Sequence, residues 1–387
     1  MLSVCILGST GSVGSQAIEV ARSLGLRVSG LSTWSNVRLL AEQAREFRPS
    51  ACAVGDPGAA GDARSLLREL SPTPELFVGT DGLSELASMA EHEIVLNAVV
   101  GFAGVYPTLA AIDAGHDVAL ANKETLAAAG SIVMGRARQR GVSIRPVDSE
   151  HSAIWQCLAG QNRPGLSRLV LTASGGPFRD RADLSDVTWE QALAHPNWRM
   201  GPKISVDSAT MINKALEVVE AHWLFDASPD IMEIVVHRES IVHSMVEFVD
   251  GSVIAQMGTA DMRTPIQYAL TYPRRRDGLA QRLDLAELGT LTFASPDTER
   301  FPGVLLGHQA LRHGGVAPAA MSAANEAAVD LFCRGVLRFC DIAPAVAEAM
   351  AGIRAGGEPS LQEIVEADGW ARQFIEERCR GCMRWLS

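Results

Sequence analysis

From residue 1 to about 145 the chain alternates short β-rich runs with segments of helical period. SVCILG, RVSGLST, ACAVG, EIVLNAVV and DVALAN have the apolar, β-branched character of buried strands, while SVGSQAIEVARSLG and NVRLLAEQAREFRP place apolar residues at helical spacing. Strand, helix, strand at this cadence means parallel strands joined by right-handed crossovers, so a doubly wound α/β sheet is expected for residues 1–146. From about residue 147 the texture changes. Longer polar loops, ASGGPFRDRADLSD and AHPNWRMGPK, lead to the runs in EIVVHRESIVHSMVEFVDGSVIAQMG, which read as antiparallel strands with Asp250-Gly251 as a hairpin turn. KISV reads as a strand ending at Val206 that feeds a helix starting near Asp207 or Ser208. Residues 147–271 are therefore expected to form an α+β domain, 272–296 a linker beginning near YPRRRDG, and 297–387 a helical domain carrying SAANEAAVDLFCRGV and IAPAVAEAMAGI.

Composition narrows the class. At 387 residues the chain exceeds what one core usually supports, and 47% hydrophobic with 20% charged residues is the balance of a soluble globular protein. No run approaches the roughly 18 apolar residues a membrane span needs. The opening MLSVCILGSTG reads as a strand and its turn, without a basic stretch or cleavage site, so a cytoplasmic protein is expected. A net charge of -11 argues against a nucleic-acid or anionic-membrane surface, while a small anionic substrate needs only a local basic site. Seven scattered cysteines fit a reducing compartment; Cys379 and Cys382 have knuckle spacing but lack a second ligand pair for zinc.

ILGSTGSVGSQ places Gly8, Gly11 and Gly14 between the first strand and the first helix. Glycines there let the backbone approach a pyrophosphate that faces the helix N-terminus, the Rossmann-like dinucleotide pattern. Strand 2 ends in LSTWSNVR with no carboxylate for a ribose, which favours NADP over NAD; Ser35 and Asn36 are the polar groups on offer, and either can also cap the next helix.

PVDSEHSAIWQ crowds Asp148, Ser149, Glu150 and His151 ahead of an apolar helix. Two carboxylates two residues apart share a face of an extended chain and repel unless a cation lies between them, and hard oxygens suit Mg2+ or Mn2+. A helix start, with Asp148 or Ser149 as N-cap, explains the same stretch equally well. KISVDSATMINKALEVVEAHW adds Asn213 and Lys214 at i+4 and i+3 spacing to Glu217, with Ser208 nearby. A Lys, an Asn and a Ser near exposed backbone N–H groups suit a substrate phosphate, and Glu217 offers a third carboxylate; an ordinary surface ion pair is the plain alternative. Ser174 precedes a Gly pair in LTASGGPFR, another setting for phosphate. HPNWRMGPK gathers His195, Trp198 and Met200 beside a possible Gly201 pivot, which reads either as a lid or as an ordered loop around a buried Trp.

GSTGSVG, NAVVGFAGVYPTLAAI, LANKE, PVDSEHSAI, SGGPFR, HPNW, KISVDSATMINKALEVVEAHWLF, HSMVEF, DMRTPI and AANE together resemble the 1-deoxy-D-xylulose 5-phosphate reductoisomerase family across nearly the whole chain. The resemblance implies an NADPH domain followed by a catalytic domain. It implies one divalent metal on Asp148, Glu150 and Glu217; substrate phosphate on Ser174, Ser208, Asn213 and Lys214; and substrate contacts from Lys123, Ser149 and His195. Thr10, Gly11, Ser12 and Val13 would meet NADPH, with Asn122, Glu124, Met200 and Gly201 close to it. Trp198 resembles the lid aromatic, and Lys123 and Glu150 are candidates for moving hydroxyl protons. A homodimer is implied as well.

Two departures stand out. Where the family usually has Gly, a basic residue and Asn after strand 2, this chain has Trp34, Ser35 and Asn36; in HRES, Arg238 replaces a common Pro. The competing readings are a plain NADP-dependent dehydrogenase, which would not require three carboxylates, and a non-catalytic NADP-binding sensor. A semialdehyde dehydrogenase would need a cysteine nucleophile, for which Cys157 lies in an apolar helical run.

Overall fold

The computed structural model describes residues 2–161, 163–194, 198 and 200–383. In chain order the elements are β1 (Ser3–Leu7), α1 (Ser12–Leu24), β2 (Arg27–Thr33), α2 (Val37–Phe47), β3 (Ala51–Val54), α3 (Ala60–Arg68), β4 (Glu75–Val78), α4 (Gly79–Ala87), β5 (Ile94–Asn97), α5 (Val105–Asp113), β6 (Asp117–Leu120), α6 (Lys123–Arg140), β7 (Ile144–Pro146) and α7 (Ser149–Leu158). They continue with β8 (Leu166–Ala173), α8 (Trp189–Ala192), α9 (Pro202–Ala209), α10 (Ile212–Phe225), β9 (Met232–Val236), β10 (Val242–Phe248), β11 (Val253–Met257), α11 (Arg263–Thr271), α12 (Leu285–Leu288), α13 (Leu306–His313), α14 (Ala317–Cys333), α15 (Ile342–Ala351) and α16 (Leu361–Met383). Two compact units result: residues 1–125, 133–152 and 261–281 form the first, and 126–132, 153–260 and 282–387 the second.

The first unit is a seven-stranded sheet in the order β4-β3-β2-β1-β5-β6-β7, its neighbouring strands parallel throughout. The chain winds outward from β1 to β4, then restarts at β5 on the other side of β1. That reversal creates a crevice at the carboxyl ends of β1 and β5, where doubly wound sheets bind ligands. Strand residues are apolar on both faces because helices cover both; Val4, Ile6, Leu31, Val54, Ile94 and Leu96 are buried in one core. β4 is short, half-buried and at the edge, so its sequence ELFV carries too little pattern to be singled out beforehand. α11 returns late in the chain to pack on α1, with Ile266, Ala269 and Leu270 in the same core and Arg263 bonded to Glu19 at 3.1 Å.

The second unit holds a four-stranded sheet, β11-β10-β8-β9, and the helices α13 to α16. The Asp250-Gly251 hairpin forms as expected: Gly251 takes φ 82°, the Ser252 N–H donates to Asp250, and β10 and β11 pair antiparallel. β9, however, pairs with β8 in parallel and does not touch β10 in the ladder. The cause is the turn after β9, which carries Ser240 at φ 52° and the buried His237; its backbone bonds send the chain across β8 instead of folding it back as a hairpin. KISV also differs from the expected strand. It lies inside α9, which starts from Gly201 as N-cap with Pro202 in the first turn, so helix-starting residues override a misleading alternation of apolar and polar positions. Cys379 is buried, and the side chain of Cys382 lies outside the described residues.

Candidate active site

The glycine loop is built as the spacing requires. Gly8 takes φ 75°, and a Cβ there would come within 2.7 Å of the Ala98 carbonyl beyond β5. At Gly14 a Cβ would meet the Gly8 carbonyl at 2.0 Å, so this helix can pack against its own loop only without a side chain. Gly11 is the N-cap of α1 and supplies no side chain to the first-turn N–H groups, which leaves that helix end suited to a pyrophosphate. The loop is pinned to β2: the Gly8 N–H donates to Ser32 Oγ at 2.9 Å, and the Thr10 and Thr33 hydroxyls meet at 2.6 Å. Gly11 and Ser12 are exposed, with Thr10 and Val13 half-covered beside them. Ser35 and Asn36 are exposed after β2, and Asn36 caps α2 through the Leu39 N–H.

On the far side of the crevice, Asn122 caps α6 and ties it to the loop after β5. Its Oδ1 accepts the Thr125 N–H at 2.8 Å, and its Nδ2 donates to the Val99 and Gly101 carbonyls and to Glu124. Asn97, which was not singled out beforehand, braces the same loop by donating to the Gly104 carbonyl and the Thr108 hydroxyl. The stretch NAVVGFAG carried that signal in the form of an Asn ending a buried strand.

Lys123 follows directly and is almost wholly buried. Its Nζ lies 2.7 Å from Asp148 Oδ2, and His151 Nδ1 lies 3.5 Å from the same oxygen. Burial by itself would raise the Asp148 carboxyl, but the Lys123 charge and the bond and charge of His151 outweigh it and hold the group well below the ordinary carboxylate range. Asp148 also accepts the Ser149 N–H, and the Ser149 hydroxyl donates to Glu150 Oε2 at 2.5 Å. Helix start and carboxylate cluster are thus the same object: Asp148 precedes α7, and its carbonyl accepts the Ser152 N–H. Part-buried carboxylate oxygens two residues apart fit a hard divalent cation.

In the second unit α10 is buried on nearly every face, and it carries two fully buried carboxylates, Glu217 and Glu220, three residues apart. Two such acids in an interior demand positive charge close by. For Glu217 part of it is Lys214, whose Nζ donates to Oε2 at 2.5 Å, while Asn213 Nδ2 donates to Oε1 at 2.5 Å. The pairing by i+3 and i+4 therefore exists, and it is buried, so the plain surface-pair alternative fails. Ser208 sits at the end of α9, not at the start of α10; the chain turns between them through Met211 at φ 62°. The Ser174 turn comes to the same place. Its Oγ accepts the Gly176 N–H, Gly175 and Gly176 both have positive φ, and a Cβ on Gly176 would lie 2.8 Å from the Ser208 carbonyl. Asp207, read from the sequence only as a possible helix start, is fully buried between Lys203 Nζ at 2.8 Å and Asn325 Nδ2 at 2.7 Å.

Trp198 is half-buried, its ring 6.1 Å from that of His243, Met200 is half-buried, and Gly201 caps α9. His195 lies outside the described residues. Cys157 is buried, and that burial pushes its thiol up to about 11, which removes the cysteine-nucleophile alternative.

A dinucleotide loop at a sheet reversal, joined in one chain to part-buried and buried carboxylates and to a serine-bearing glycine turn, fits one class: a nucleotide-dependent oxidoreductase with a cation and an anionic substrate. Family models cover most of the sequence: 1-deoxy-D-xylulose 5-phosphate reductoisomerase at residues 4–130, the C-terminal domain of that enzyme at 144–225, and a DXP reductoisomerase C-terminal domain at 257–374. The 1-deoxy-D-xylulose 5-phosphate reductoisomerase of Pelotomaculum thermopropionicum is 53% identical over 97% of both chains, and that of Gloeobacter violaceus is 49% identical over 100% of this chain and 97% of its own. Among solved structures, the Zymomonas mobilis enzyme in complex with NADPH matches at a TM-score of 0.90 and 40% identity, over 98% of this chain and 99% of that one. A DOX-P reductoisomerase in complex with NADPH, fosmidomycin and magnesium matches at 0.92 and 37%, over 98% of each chain. The chain belongs to the 1-deoxy-D-xylulose 5-phosphate reductoisomerase family.

Proposed function

We propose that this chain converts 1-deoxy-D-xylulose 5-phosphate into 2-C-methyl-D-erythritol 4-phosphate with NADPH and one divalent cation, Mg2+ or Mn2+, in isoprenoid precursor biosynthesis. The observation that carries the reading is Asp148, a largely covered carboxylate held ionised by Lys123 and His151 two residues from Glu150. Asp148, Glu150 and Glu217 are the residues proposed to hold the cation; Asn213 and Lys214 fix the Glu217 oxygens and, with Ser174 and Ser208, offer donors to the substrate phosphate. When bound, the cation supplies a Lewis acid for the oxygens of the reacting ketone and hydroxyl, and the nicotinamide supplies the hydride.

The chain's own groups do the remaining work. Lys123 Nζ, seated on Asp148, and the Glu150 carboxylate, which accepts from Ser149, are placed to hold or move hydroxyl protons. Ser149 and His195 contact the substrate. Trp198 and Met200 cover it and exclude water, with Gly201 as the pivot. Thr10, Gly11, Ser12, Val13, Ser35, Asn36, Asn122 and Glu124 face the cofactor. The functional division proposed is 1–146 for NADPH, 147–271 for metal and substrate, 272–296 as a linker and 297–387 as a helical domain, although residues 147–152 and 261–281 pack in the first compact unit. A homodimer and a cytoplasmic location belong to the same reading. No helix among the described residues is long and apolar enough to cross a membrane.

The test is NADPH absorbance with 1-deoxy-D-xylulose 5-phosphate, with and without Mg2+ or Mn2+. Metal-dependent oxidation with formation of the branched product is expected. Oxidation that ignores chelation supports a plain dehydrogenase, and NADPH binding without turnover supports a sensor.

A further inference from the structure

We infer that Trp34 is the platform on which the adenine ring of the cofactor stacks, and that this stacking stands in for the positive charge missing at position 35. The inference rests on the NADPH reading above. In doubly wound sheets a dinucleotide lies across the carboxyl ends of the strands, and the residues that end the second strand meet its adenosine half. Trp34 is the first residue beyond β2, and its neighbour Thr33 is bonded to Thr10 of the glycine loop at 2.6 Å. The indole therefore belongs to the same rigid frame as the pyrophosphate site.

A lone exposed aromatic is ordinary. This one has a built seat. The six-membered half of the ring lies against Gly55, just beyond β3, where a Cβ would come within 2.4 Å of Trp34 Cε3. Two backbone bonds of 2.9 Å, from the Gly55 N–H to the Thr33 carbonyl and from the Asp56 N–H to the Trp34 carbonyl, lock the ends of the two strands together. Asp56 itself is turned into its own loop, accepting the Gly58 N–H. So the ring is fixed from below by a residue that can only be small, yet 53% of Trp34 stays exposed.

An exposed aromatic ring anchored along its six-membered half can recognise a base through dispersion and π contact, without reading the base's edge. Such stacking does not depend on the ribose 2′-phosphate. Ser35 offers that phosphate a neutral hydroxyl where a guanidinium would offer a charged fork. The division of labour follows: Trp34 sets the affinity for the adenosine half, and Ser35 contributes a small preference for the 2′-phosphate.

The experiment titrates the full-length chain and its variants with NADPH, 5′-ADP and 2′,5′-ADP, following heat and tryptophan emission. Trp34→Ala should weaken 5′-ADP and 2′,5′-ADP by a common factor of about tenfold, within the range that base stacking spans. Trp34→Phe should recover most of that loss. Gly55→Ala, which displaces the ring without removing it, should weaken both nucleotides while Tm stays close to the wild-type value. In the wild-type protein 5′-ADP should quench emission, and Trp34→Phe should abolish the quenching while the nucleotide still binds. Equal 5′-ADP affinity in folded Trp34→Ala and wild type overturns the platform and leaves NADPH binding standing. Failure of the wild-type protein to bind NADPH at all overturns both readings.

Discussion

Lys123 and Asp148 set the terms at the scale of single residues. A buried ammonium and a largely covered carboxylate are costly to desolvate, and each is tolerated because the other is 2.7 Å away. Removing one leaves the other uncompensated. Lys123→Met should lower kcat by about 100-fold or more if its Nζ also moves a proton, yet leave 5′-ADP affinity unchanged, because the adenosine site uses none of these atoms. A variant with near-normal kcat would confine Lys123 to a structural role. Away from the site, His92 gives a pH test. Its Nε2 meets the Leu86 carbonyl at 2.7 Å and so carries the hydrogen, leaving Nδ1 to accept from Ser29 at 2.8 Å. Burial lowers the ring's pKa against the pull of that carbonyl, with His116 adding to the lowering. The unfolded chain takes up the proton near the ordinary value of about 6.5 while the folded chain does not, so stability falls as pH drops below it. Replacing His92 by Gln should flatten the slope of urea-melt stability between pH 7 and pH 5; an unchanged slope would assign the dependence to other groups.

At the scale of elements, α9 and α10 form one device. Glu217 alone on its helix would be an unpaired interior charge; Asn213 and Lys214, one turn before it, make it a fixed double acceptor. Ser208 follows Asp207 directly in the chain, and α14 grips Asp207 through Asn325. Asn325→Asp would set two buried carboxylates against each other and should raise KM for the phosphorylated substrate more than KM for NADPH. Adding Asp207→Asn restores an acid–amide pair and should recover much of the loss; no recovery would mean the pair does not position Ser208. Much of this device was legible because i+3 and i+4 spacing is local. What was not legible is instructive. KISV alternates like a strand, and only Gly201 and Pro202 just before it start a helix. β9 looks like the first arm of a hairpin with β10, but one positive-φ residue, Ser240, redirects the chain. Asp207 and Asn325 are more than a hundred residues apart, and no local pattern announces that they meet. α6 offers a further check. Ala129 leaves helical geometry at φ -128°, and a Cβ on Gly130 would fall 2.1 Å from Trp223 Cδ1. Gly130→Ala should therefore destabilise the protein by about 1–3 kcal/mol, the usual cost of overpacking, read as a lowered urea midpoint.

For the whole molecule, two cores serve two tasks, and α6 and α7 each begin in the first unit and contribute residues to the second. The doubly wound sheet was readable from apolar runs separated by helical periods, since strands covered on both faces show it plainly. The return of α11 to the first unit was not, because DMRTPIQYALT carries an ordinary amphipathic face whose partner, α1, lies far back in the chain. An acidic protein of net charge -11 that handles an anionic substrate must also place its cations locally, and Lys123, Lys203 and Lys214 are each committed to a buried or nearly buried carboxylate. Asp148, Glu150 and Glu217 are proposed to act together on one ion. Mn2+ titration of the full-length chain, followed by electron paramagnetic resonance, tests this most directly. One ion per chain is expected, with Asp148→Asn, Glu150→Gln and Glu217→Gln each weakening it by more than about tenfold while 5′-ADP still binds. Wild-type Mn2+ affinity in folded Glu217→Gln would contradict the account.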